Sequence, residues 1–282
     1  MKDADVVPVV LAEDQYAEIL ASQILPALAR DGRYSLMILL VPEPGPRVPE
    51  AVLTTEPYIT PEALQPMLVP SWLDQVREAL ADPAGGHDGL GYSTAEVPFV
   101  AVHHWHAGAV ADLIGEAVAR RGVDAAPHDD LCAVHARAAA GEPVGEGVWS
   151  AVLEPALREV YRLAYPHEQV HSRASSAAAS FARSRGWSED EAERYGETYA
   201  RVNTEVSERV HAEANAIANA AAYAVAFAAR DAEYYARAWP FAVVRAWIVA
   251  YAGPAGADGP AAQEARVRLR DGLADAVRRA TA

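Results

Sequence analysis

Between Ser188 and Arg230 the chain runs without a proline and with one glycine, Gly196. Ala, Glu and Arg, all strong helix formers, dominate this stretch. Ser188 followed three residues later by Glu191 is a capping box, which marks a helix start. The pattern predicts one very long helix, extending as far as Trp239, where Pro240 interrupts it. A rod of that length needs other helices to cover it, so the fold expected is mostly α.

Three ladders run along the predicted rod at four-residue spacing, and residues four apart are neighbours on a helix surface. Val202, Val206 and Val210 form an apolar ladder, and Ala214, Ala218, Ala222 and Ala226 a small-residue one. The third is polar: Asn203, Ser207, His211, Asn215 and Asn219. Asn and Ser compete for the backbone inside helices. Two readings of the polar ladder stay open. It is a solvated or internally satisfied face, or it lines a ligand cavity.

An echo links this rod to the segment before it. Glu168-Gln-Val-His171 is followed by Ala174, Ala178 and Ala182, and Glu208-Arg-Val-His211 by Ala214, Ala218 and Ala222. A turn at Gly186-Trp187 makes the two helices an antiparallel hairpin. Glu168 lies 18 residues before Gly186 and Glu208 lies 20 after Ser188, so the two glutamates come level to within about 3 Å of helical rise. Glu-x-x-His on facing helices resembles the di-metal ligand pattern of ferritin-like bundles. On this reading Glu168, His171, Glu208 and His211 hold a divalent metal or act as acid and base, with Asn203, Ser207 and Asn215 orienting a substrate. The preceding helix offers Glu154 and Glu159, whereas Phe241 to Ala252 carries no carboxylate. The alternative is two ordinary helices with exposed Glu and His.

Two further groups carry metal-capable side chains. His103, His104 and His106 follow an apolar run, Val97 to Val102, that reads as a third strand. If the strand continues, His104 and His106 point to one side and reach toward the pocket. His128, Cys132 and His135 fall at i, i+4 and i+7, on one helix face.

The N-terminal part alternates differently. Val6 to Leu11 and Tyr34 to Val41 read as buried strands flanking an amphipathic helix, Glu13 to Arg30. Such a βαβ-like unit has parallel strands. Its strand-to-helix turn, Ala12-Glu13-Asp14, is acidic and offers no phosphate-binding glycines. The organisation expected is a small α/β portion over residues 1–125 and a helical bundle over residues 126–282.

Charge and cysteine usage narrow the function classes. A net charge of -15 disfavours nucleic acid and anionic membrane surfaces as partners. One cysteine, Cys132, allows no intramolecular disulfide, which fits a reducing cytoplasm. No signal peptide or membrane span is expected. G-x-S-x-G, H-E-x-x-H, P-loop and C-x-x-C motifs are absent. Two functions remain. One is a cytoplasmic enzyme or small-molecule binder with a Glu/His/Asn pocket. The other is a non-catalytic helical scaffold, with the polar ladder as a surface for another protein chain, a homo-oligomer included. Burial of His211 beside a cavity favours the first, and an exposed His211 the second.

Overall fold

The computed structural model describes residues 9–11, 38–40, 70–81 and 97–282. Strands β1 (Val9–Leu11) and β2 (Ile38–Leu40) pair in parallel, with Val9 opposite Ile38 and Leu11 opposite Leu40. The helix expected between them, Glu13 to Arg30, lies outside the described residues.

The rest is helical, and no strand occurs between residues 97 and 282. The elements are α1 (Trp72–Leu80), α2 (Val100–Trp105), a π turn (His106–Val110), α3 (Ala111–Arg121), α4 (Ala126–Ala139) and α5 (Glu146–Ala164). They continue with α6 (His167–Ser184), α7 (Glu189–Ala229), α8 (Ala232–Arg237), α9 (Pro240–Ala252), a 3₁₀ turn (Gly253–Asp258) and α10 (Pro260–Thr281). Among the described residues no helix is long and apolar enough to cross a membrane.

The rod starts where its cap requires. The Glu191 carboxylate reaches back to accept from the Ser188 backbone N–H at 3.1 Å. It stops earlier than Pro240 would require. Arg230 takes a left-handed conformation, φ 53°. Asp231 then accepts from the N–H groups of Glu233 and Tyr234 and opens a new helix. A side-chain cap therefore ends α7 ten residues before the proline.

The third strand is not formed. Val97 to Val102 leads instead into α2, which continues through the π turn into α3. A short apolar run is ambiguous between strand and buried helix. Here Ala101, Val102, His103, Trp105 and His106 are all buried, so the segment is enclosed on most of its circumference. The π turn pushes Ala109 against α10, where Gly272 leaves it room; a Cβ at 272 would collide with the Ala109 methyl. Trp105 donates its indole N–H to the Leu269 carbonyl of α10 at 2.9 Å.

The core contains Trp72, Trp105, Trp149, Tyr223, Phe227 and Tyr235, all fully enclosed, and draws on helices both before and after residue 125. Side chains of this size each contribute on the order of 1.5–3 kcal/mol or more when buried. The N-terminal half of α7 differs. It packs on α6, which has no other extensive helix partner among the described residues. Their shared seam is Ala178, Ala179 and Ala182 against Ala192, Gly196, Ala200 and Thr204. A Cβ at Gly196 would come within 2.6 Å of the Ser175 carbonyl, so the helices touch backbone to backbone there. The small-residue contact uses the register 192–196–200–204, offset from Ala214, Ala218, Ala222 and Ala226. Of those four only Ala226 is buried.

Candidate functional site

The residues singled out on α6 and α7 do come level, as the hairpin register requires. His167 and Glu208 are 2.8 Å apart. Level is not the same as facing, because one residue along a helix turns a side chain by about 100°. Glu208 therefore meets His167 and, at 3.6 Å, Arg162, rather than His171. His171 pairs with Glu197 at 3.3 Å. Glu168 is exposed. His211 is exposed as well, with its ring against Tyr161 of α5 and Tyr165 just after it. The four groups are not brought to one point, and among the described residues no cluster of three His, Cys, Asp or Glu could hold a metal ion.

The polar ladder twists from surface to core along α7. Asn203 and Ser207 are half-buried, whereas Asn215 and Asn219 are buried. Asn215 donates to the His211 carbonyl at 2.8 Å. Asn219 donates to the Asn215 carbonyl at 2.9 Å and to the Tyr161 hydroxyl at 3.0 Å. Ser207 meets the phenol of Tyr165. The ladder thus zips α7 to Tyr161 of α5 and to Tyr165 just after it.

The histidines flagged in two separate places meet in the core. On a helix, His103 and His106 share a face at i, i+3, while half-buried His104 turns away. His103 and His135 face each other Nδ1 to Nδ1 at 3.1 Å, so one ring carries the hydrogen and the other accepts it. His106 stacks on His135 with ring centres 4.3 Å apart, and His103 stacks on Trp149 at 5.5 Å. Phe227 lies edge-on to all three imidazoles. His106 Nε2 is 3.3 Å from the Tyr235 hydroxyl.

Burial keeps these rings neutral. It pushes His103 down to about 4, with Arg230 and His104 adding repulsion, and His106 down to about 3, with His103 adding to it. His135 also falls well below the usual imidazole value, through burial and then its histidine neighbours.

A cavity of about 20 Å³ lies beside the cluster, lined by His106, His128, Cys132, His135, Tyr223 and Trp247 among others. That is room for one or two water molecules. His135 Nε2 and the Tyr223 hydroxyl are buried without a protein partner. His128, Cys132 and His135 share this cavity, as their common face demands, but His128 Nε2 donates to the Ala111 carbonyl at 2.9 Å. Burial pushes the Cys132 thiol up to about 11, with Asp129 and Asp112 adding to it. Of the expected pocket residues, His104, His106 and those on α6 and α7, only His106 lines the cavity, alongside the separately noted His128, Cys132 and His135. Reading Val97 to Val102 as a strand hid the 103–106 pairing, and nothing local to residue 135 announces its partner.

Where the apolar ladder lies is the other surprise. Val202, Val206 and Val210 are 50%, 45% and 56% exposed. Tyr199 and Ile217 are similarly open. Of the nine large apolar side chains exposed among the described residues, these five fall on one stripe of α7. Comparison with known proteins finds no matching family model, no matching curated protein and no matching solved structure.

Proposed function

We propose that this chain is a non-catalytic helical interaction module, and that its working surface is the outward stripe of α7. One observation carries the reading. On the α6–α7 hairpin the large apolar side chains point outward, while the inward seam is Ala, Gly and Thr. Burying an alanine methyl contributes about 0.8 kcal/mol, against roughly 1.5–3 kcal/mol for a valine or isoleucine. The hairpin therefore keeps its strongest apolar groups for a surface outside itself. Apolar stripes of this kind mark protein contacts. Glu208 pairs with His167 and His171 with Glu197, while Glu168 and His211 are exposed, which favours this reading over a pocket enzyme.

The test is a photo-crosslinking amino acid placed at Val206, compared with one at Ser180 on the exposed polar side of α6. The expected result, in the native host, is a discrete covalent adduct with a polypeptide at 206 and none at 180. Equal or absent labelling at both positions would overturn the proposal.

A further inference from the structure

We infer that the cavity beside the histidine cluster is a hydration site built into the fold: one internal water, hydrogen-bonded to His135 Nε2 and to the Tyr223 hydroxyl, ties α4 to α7. The cavity lies where the π turn, α3, α4, α5, α7 and α9 meet. Its volume is about 20 Å³, and a single water needs about 10–15 Å³. Most of the lining is apolar, with Ile114, Leu131, Leu153, Leu157 and Val160 among it. A space lined by such side chains alone stays dry. Here two enclosed polar side chains join the lining: His135 is 1% exposed and Tyr223 0%. Each keeps one polar atom without a protein partner. A buried donor or acceptor left in that state is costly, and two of them on one cavity wall call for a common partner.

The chemistry of the two groups selects water. His135 spends Nδ1 on His103, so its Nε2 carries a hydrogen in one tautomer and a lone pair in the other. The Tyr223 phenol stays protonated, because burial raises it well above its usual value, and its oxygen can donate or accept. A molecule that both donates and accepts satisfies these two atoms in either tautomer. Cys132, on the same wall, adds a thiol as a third and weaker partner. Three partners is the usual number for an internal water. An ion fits less well. Among the described residues no carboxylate, lysine or arginine lines the cavity, so a charge would enter without a countercharge. The water completes a buried polar chain that runs from Tyr223 through the water to His135 and on to His103.

A crystal structure of the full chain tests the site directly. One ordered water should lie within about 3.2 Å of both His135 Nε2 and the Tyr223 hydroxyl. Tyr223→Phe tests it in solution, since the ring and its packing stay while the hydroxyl goes. A hydroxyl that holds the water contributes a net hydrogen bond, so the folded-to-unfolded ratio from urea denaturation should fall about fivefold. A hydroxyl with no partner contributes nothing favourable, and its removal would leave the ratio unchanged or raise it. A dry cavity, a water touching only one of the two groups, or a Tyr223→Phe chain as stable as the parent overturns the inference. None of these outcomes bears on the α7 stripe, which the photo-crosslink at Val206 tests separately.

Discussion

His103 on α2 and His135 on α4 share one hydrogen between their Nδ1 atoms at 3.1 Å, with both side chains buried in the core. The bond is possible only while at least one ring keeps a bare nitrogen. Adding a proton to each would set two N–H groups against each other in a low-dielectric interior, where unpaired polar groups are costly.

Stability should therefore depend on pH in a definite direction. His103 and His106 titrate near 4 and 3 in the folded chain, and His135 is lowered too, against about 6.5 when unfolded. Between those values the unfolded chain binds more protons. The contribution of the cluster is thus complete above about pH 6.5 and is lost as pH falls toward 4 and 3. Three such groups give a slope of at most roughly 4 kcal/mol per pH unit. His135→Phe should lose about 1–3 kcal/mol at neutral pH, because His103 loses its partner. It should also flatten the slope by up to about 1.4 kcal/mol per pH unit. Urea denaturation at a series of pH values measures both, and an unchanged slope would contradict this account.

Two glycines mark close approaches between helices. At Gly196 an added Cβ meets backbone, and at Gly272 it meets the Ala109 methyl pressed outward by the π turn. Gly196→Ala and Gly272→Ala should each destabilise by roughly 1–3 kcal/mol, seen as a lowered Tm. Gly147, near the start of α5, has open space around it. Gly147→Ala should raise Tm, by up to about 1 kcal/mol of added stability.

The polar ladder on α7 should show graded sensitivity. Asn219 is buried and donates to Tyr161, so Asn219→Ala should lose about 1–3 kcal/mol. His211 is exposed, and His211→Ala should stay within about 0.5 kcal/mol of the parent. Thermal unfolding of the two variants side by side checks the order. A larger loss at 211 would mean that the ladder is organised from its surface end.

Several helix ends were legible from single residues. Ser188 and Glu191 opened the long helix as expected. Gly122, Gly141 and Gly186 take positive φ where their neighbouring helices stop. Other features had a local signal that pointed elsewhere. Asp231 is a good helix opener, yet Pro240 looked like the stronger barrier, and the rod was expected to run too far. Val97 to Val102 is rich in valine, yet Val100–Val102 open a helix that packs on α4 and α10.

Amphipathic spacing, caps and breakers act over three or four residues, so the chain's sequence by itself determined that a long rod exists, where it begins, and that it folds back against the preceding helix with Glu168 and Glu208 level. Facing is a different matter. Whether His171 or His167 meets Glu208 depends on rotations of a few tens of degrees, set by which small residues form the seam. Only the tertiary structure decided that, and only it brought His103, His106 and His135 together across a sequence gap that no local rule spans. It also left the valine ladder facing outward, since a face becomes core only when something packs on it.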